Sequence, residues 1–190
     1  VSSNEIVEQT VVMGLLDQIV RASFMQGNMP LMNWCIMEML RYSFTEKMSL
    51  ESSLALLYYA VKLGPVNNNY NDAHIIAQIG VDFALTHCQS QQYSETLFIY
   101  SVSFMHWVCP FEEVLQKLTQ AFTINQKAGH IYFSSVALVL SNILNHRLTL
   151  PEALADMKAS LYWIENRLRA PKVTYLAKCL CHFYDALSGN

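Results

Sequence analysis

The sequence predicts an all-α fold, an α-α superhelix of about four stacked helical hairpins preceded by one further helix. Apolar residues recur three and four apart along the chain, as in Leu97, Tyr100, Phe104 and Val108, or Leu154, Met157, Leu161, Ile164 and Leu168. That is the period at which one face of a helix meets a core, and no strand-length alternation bounded by turn residues competes with it. Alternate helix starts near Pro30, Tyr70, Pro110 and Leu150 are spaced by about 40 residues, enough for two helices and a short connection. Such a hairpin covers its apolar face only by stacking on a neighbour.

Local signals divide the chain into about nine helices. The first covers roughly 4–26, opened by Ser2 with Glu5 three residues on and closed by Gly27. Pro30 stands at the first helical position of the second, where its missing N–H costs nothing. Ser49 caps the third, which Gly64-Pro65 ends, and Asn69 caps the fourth. The fifth starts near Ser94 and stops before Pro110, which opens the sixth; Gly129 separates the sixth from the seventh. Thr149 and Glu152 form a capping box for the eighth, and Pro171 opens the ninth. These starts predict antiparallel hairpins over 30–63, 70–108, 110–146 and 150–188. Ala73, Ala77, Gly80 and Ala84 form a small-residue stripe on the fourth helix. Glycine lowers helix propensity, so its place there predicts a close neighbouring helix. A compact irregular bundle is the alternative arrangement.

A length of 190 residues fits one helical-repeat domain, 1–190, or a fragment of a longer array, and a start at Val1 points to the fragment. With 53% hydrophobic and 14% charged residues, either the core is large or apolar surface meets another domain or chain. Val11, Val12, Leu15 and Ile19 of the first helix, and Phe183 and Leu187 of the last, are candidates for such a flank. The net charge is -3 without any Lys/Arg cluster. Arg167, Arg169 and Lys172 sit at a helix end, where positive charge suits the dipole. Nucleic acid and membrane surfaces are therefore not expected partners. The apolar stretch Ile131 to Leu144 is too short to span a bilayer, and the polar first residues do not form a signal peptide. Five cysteines at unrelated spacings predict reduced thiols and a cytoplasmic location.

Catalytic and metal chemistry are not expected. Cys179 and Cys181 lie two apart on a helix, about 200° around its axis, so their thiols cannot share an ion, whatever His182 does. His106 and Cys109 are three apart and His87 adjoins Cys88, yet neither pair has an orienting third group or an oxyanion hole. Glu112 and Glu113 suit the first turn of a helix. Phosphate-loop, dinucleotide, zinc-protease and nucleophile-elbow motifs are missing, so neither cofactor nor metal is expected. The candidate interaction surface is aromatic: Trp34, Tyr58, Tyr59, Tyr162 and Trp163. Adjacent residues point to different helix faces, leaving one member of each pair for a partner. The second helix, Leu31 to Phe44, is apolar on nearly every side and carries Met32, Met37 and Met39. That suits a helix packed on two sides or an adaptable Met-rich surface.

The order of several segments carries a resemblance: Pro30 to Trp34; Ser52 to Ala55 with Tyr58; Ile79-Gly80 through Ala84-Leu85; His106-Trp107 to Pro110; Ala121-Phe122; and Gly129-His130 to Tyr132. Over roughly residues 10–165 the chain resembles the tetratricopeptide-like helical-repeat region of large signalling kinases. In these a serine/threonine-kinase-like domain and an AAA-type ATPase precede the region, and GAF and histidine-kinase domains follow it. His130 departs from the acidic residue common after that glycine. The resemblance implies a non-catalytic protein-interaction or signal-relay scaffold, with kinase and ATPase activities residing in other domains. Its partners would be another protein, neighbouring domains of the same polypeptide or a second copy. The second reading is a regulatory domain that binds a small molecule or peptide in a helical pocket. A closed apolar pocket favours that reading, and an open groove or broad apolar patch favours the first.

Overall fold

The computed structural model describes residues 3–46, 48–87, 90–145 and 147–189, and every regular element among them is helical. The elements are α1 (Ser3–Gln26), α2 (Met29–Thr45), α3 (Leu50–Val61), α4 (Tyr70–His87), α5 (Ser90–Tyr100), α6 (Phe111–Lys127), α7 (Ile131–Leu144), α8 (Leu150–Trp163) and α9 (Pro171–Leu187). Wider π-helical turns extend three of them: Lys62–Val66 after α3, Ser101–Met105 after α5 and Ile164–Leu168 after α8. The turn after α3 lets the chain pass Pro65, which has no N–H to donate, before Asn68 adopts φ 55 and stops it. Gly27 and Gly129, at φ 70 and 77, end α1 and α6 in the left-handed conformation that glycine tolerates best. Ser2, read as the opening of α1, lies outside the described residues.

Side-chain caps mark several of the starts. Thr149 N–H donates to Glu152 Oε2 at 2.8 Å, Ser49 N–H to Ser52 Oγ at 2.9 Å, and Asp72 N–H to Asn69 Oδ1 at 3.4 Å. One start moves. Helix α5 begins at Ser90, a turn before Ser94, because Ser94 is buried and its hydroxyl donates to Asn125 Oδ1 at 2.8 Å. A tertiary partner takes the group that would otherwise cap a helix.

Contacts gather into two units, Val1–Gln92 and Tyr93–Asn190. In the first, the core is Met13, Leu16 and Val20 of α1, Cys35, Ile36, Met39 and Leu40 of α2, and Ala55 and Leu56 of α3. The closest-packed pairs are α1 with α2 and α3 with α4, while α2 and α3 touch less extensively. The hairpin expected at 30–63 is thus the weaker of the pairings α2 and α3 make. The reason lies on α4: Ala73, Ala77, Gly80 and Ala84 are all buried and let α3 approach. A Cβ on Gly80 would lie 2.9 Å from the Ser53 carbonyl oxygen and 2.6 Å from Leu57 Cδ1. Polar groups tie the other seams. Tyr58 Oη donates to Asp17 Oδ1 at 2.9 Å, where Arg21 of the same helix as Asp17 also donates to Oδ2 at 2.8 Å, and Ser43 Oγ donates to Ser52 Oγ at 2.7 Å.

In the second unit α6 packs on α7 and α8 on α9, the partners expected over 110–146 and 150–188, and α7 also meets α8. Val139 joins Met157, Ile164, Leu168, Ala170, Val173, Ala177 and Cys181 in its core. Phe122 of α6 lies 5.5 Å from Trp163 between ring centroids. The hairpin expected at 70–108 spans the division, with α4 in the first unit and α5 from Tyr93 onward in the second.

Candidate interaction surface

Helix α2 is apolar on two opposite sides, and only one of them is covered. Cys35, Ile36, Met39, Leu40 and Ser43 face the core. Half a turn around the axis, Trp34 (58%), Met37 (49%) and Phe44 (72%) are exposed, with Arg41 among them. At 100° per residue, positions 34, 37, 41 and 44 fall on one stripe. Arg41 Nη2 is 2.8 Å from Glu38 Oε2, and its guanidinium stands 4.5 Å over the Tyr42 ring. The hydrogen bond to Glu38 raises the pKa of Arg41 above its already high ordinary value. Met29 and Leu31, at the start of α2, are exposed as well.

The five aromatic residues read from the sequence do not converge. Trp34 lies on the α2 stripe. Tyr58 and Tyr59 are half-buried against the core of the first unit, and the Tyr58 hydroxyl is engaged with Asp17. Tyr162 is 69% exposed, while its neighbour Trp163 packs against the core of the second unit. Only the Tyr162–Trp163 pair divides into an outer and an inner member. Phe44 and Arg41 were missed. Their signal was the apolar residue at every third or fourth position around the whole of α2, with a single guanidinium on the outer side.

The flanks expected at the ends carry apolar side chains too. Val11, Leu15 and Ile19 are exposed on α1, whereas Val12 is half-buried against the core, and Phe183 and Leu187 are exposed on α9. In the second unit an open groove of about 670 Å³ is lined by Glu112, Leu115, Gln116, Thr119, Asn145, Arg147 and Leu148. Arg147 Nη2 reaches Glu112 Oε1 at 2.7 Å across it. Paired charges of opposite sign in open solvent give such a groove little net field.

Cys109 and His106, three apart in the sequence, are both shifted by their surroundings. Burial, helped by the Glu113 carboxylate, pushes the Cys109 thiol up, and burial pulls His106 down. Both shifts oppose a thiolate–imidazolium pair. Cys179 is exposed and Cys181 buried, as opposite helix faces require, and burial raises the Cys181 thiol. Cys88 lies outside the described residues. Among the described residues no three acidic, His or Cys side chains gather as a metal site, and no helix is long and apolar enough to cross a membrane. The chain matches no protein-family model, no curated protein and no solved structure.

Proposed function

We propose that this chain is a non-catalytic interaction scaffold, a tetratricopeptide-like superhelical module that receives or relays a signal through protein contacts inside a larger signalling kinase. The observation that carries the reading is the bare Trp34–Met37–Phe44 stripe opposite the buried face of α2. Aromatic residues and methionine set around an arginine are the composition of interface cores, and an exposed stripe of them on an ordered helix is costly without a partner. The groove crossed by the Glu112–Arg147 pair is open to solvent, which suits a contact surface better than an enclosed ligand site.

A photo-crosslinking amino acid at position 34 in the cellular protein tests the reading, with the exposed Gln126 as the comparison site. Adducts of discrete mass from position 34, and none from position 126, are expected. Equal labelling at both sites, or none at position 34, overturns the proposal.

A further inference from the structure

Positions 34, 37, 41 and 44 are spaced three, four and three apart, the a and d positions of two successive heptads. The spacing reads the same from either end. Two copies of α2 laid antiparallel about a two-fold axis therefore match the stripe to itself, Trp34 against Phe44 and Met37 against Arg41.

We infer that the exposed stripe of α2 is the docking site for a second copy of this chain, paired antiparallel through Trp34, Met37, Arg41 and Phe44. The inference rests on the reading of this face as an interaction surface. Charge selects both the occupant and the direction. Arg41 is the one charged residue in the stripe, and a parallel pair would set it against its own copy. In the antiparallel pair it lies over Met37 and beside Glu38 of the other copy. Each guanidinium then keeps a carboxylate whether it bonds Glu38 within its own helix, as at 2.8 Å here, or across the seam. A polar residue at a single a position sets register in just this way, at a cost in strength. The size of the seam sets the affinity. Eleven residues of helix are about 16 Å long, and four side chains per copy cover less than the roughly 800 Å² per partner of a standard interface. The dimer is therefore weak and forms at high local concentration, as between neighbouring copies within an assembly.

Sedimentation equilibrium of the 190-residue chain, from about ten micromolar to about one millimolar, should show a reversible monomer–dimer equilibrium. Arg41→Glu and Glu38→Arg should each weaken it by about tenfold or more, because each sets like charges across the seam. A mixture of the two variants should pair at concentrations where each alone is monomeric, since one then carries two acids and the other two bases. Both positions lie away from the core, and an unchanged circular-dichroism melt would confirm folding. A chain monomeric throughout overturns the inference, as does a dimer indifferent to both variants or one lost with Leu15→Glu on α1 instead. If the chain stays monomeric while position 34 crosslinks to a different protein, the dimer fails and the interaction surface stands.

Discussion

In the first unit α3 and α4 meet through side chains that are nearly absent, whereas in the second α5 and α6 meet through side chains that bond each other. Gly80 and its flanking alanines bring the α4 backbone against the Ser53 carbonyl, so that contact is specified by volume. Across the other, buried Ser94 donates to Asn125 Oδ1 at 2.8 Å and Gln120 Nε2 to the Tyr93 hydroxyl at 3.4 Å. The Asn125 Nδ2 finds no acceptor among the described residues, and the Ser94 hydroxyl holds this wholly buried amide by its oxygen. A size-specified seam fails when an atom is added; a bond-specified seam fails when one is taken away.

The largest expected effect follows from adding atoms. Gly80→Leu should destabilise the chain by about 1–3 kcal/mol, towards the upper end because one obstructing atom is backbone oxygen. Glycine to alanine sharpens the point by sign. Gly14 lies within α1 with open space where a Cβ would go, so Gly14→Ala should stabilise by about 0.5–1 kcal/mol. Gly80→Ala should lower the melting temperature despite the same gain in propensity. Two melting temperatures shifted in the same direction would break the volume argument.

Removing an atom tests the other seam. Ser94→Ala leaves the Asn125 amide oxygen buried without its donor, at a cost of about 1–3 kcal/mol. Urea unfolding at unchanged m-value measures it. A loss within a few tenths of a kcal/mol, as for a surface serine, would show that the hydrogen bond does not specify the contact.

The smallest effect separates two caps of the same design. The α8 box uses the Glu152 carboxylate, held below its ordinary value of 4.5 by hydrogen bonds from the Thr149 side chain and backbone, and the α3 box uses the Ser52 hydroxyl. A carboxylate lowered in the folded state contributes stability that is present above its ordinary pKa and lost as pH falls through the folded one. Acid should therefore loosen the first turn of α8 and leave the Ser49–Ser52 bond in place. Amide-exchange protection at Glu152 and Ala153 should fall as acid takes the pH below the ordinary carboxylate range and protonates Glu152, and protection that persists once it is protonated would remove the carboxylate from the cap.

Among the described residues the all-α class, the longer helical segments and many of their ends were legible because they depend on neighbours close along the chain: Asn69 with Asp72, Thr149 with Glu152, glycine where φ is positive. Gly80 was legible for a related reason, since a residue that weakens its own helix needs a tertiary cause. The start of α5 was not, because Ser94 suits a cap and a buried hydrogen bond equally, and its distant partner Asn125 decides between them.

The interaction surface divides along the same line. By itself the sequence determined that α2 would have two apolar sides, because a helical period assigns every residue an angle about the axis. Which side would be covered depended on what α1 and α3 brought to it. Their Met13, Leu16, Val20, Ala55 and Leu56 pack with Cys35, Ile36, Met39 and Leu40, and Trp34, Met37 and Phe44 were left outward. Likewise the sequence marked Tyr58 and Tyr59 as aromatic neighbours, and only folding drew the Tyr58 hydroxyl onto Asp17, forty-one positions away. Helix and cap are settled by interactions a few residues long; cover and exposure are settled by which faces remain once the helices have packed.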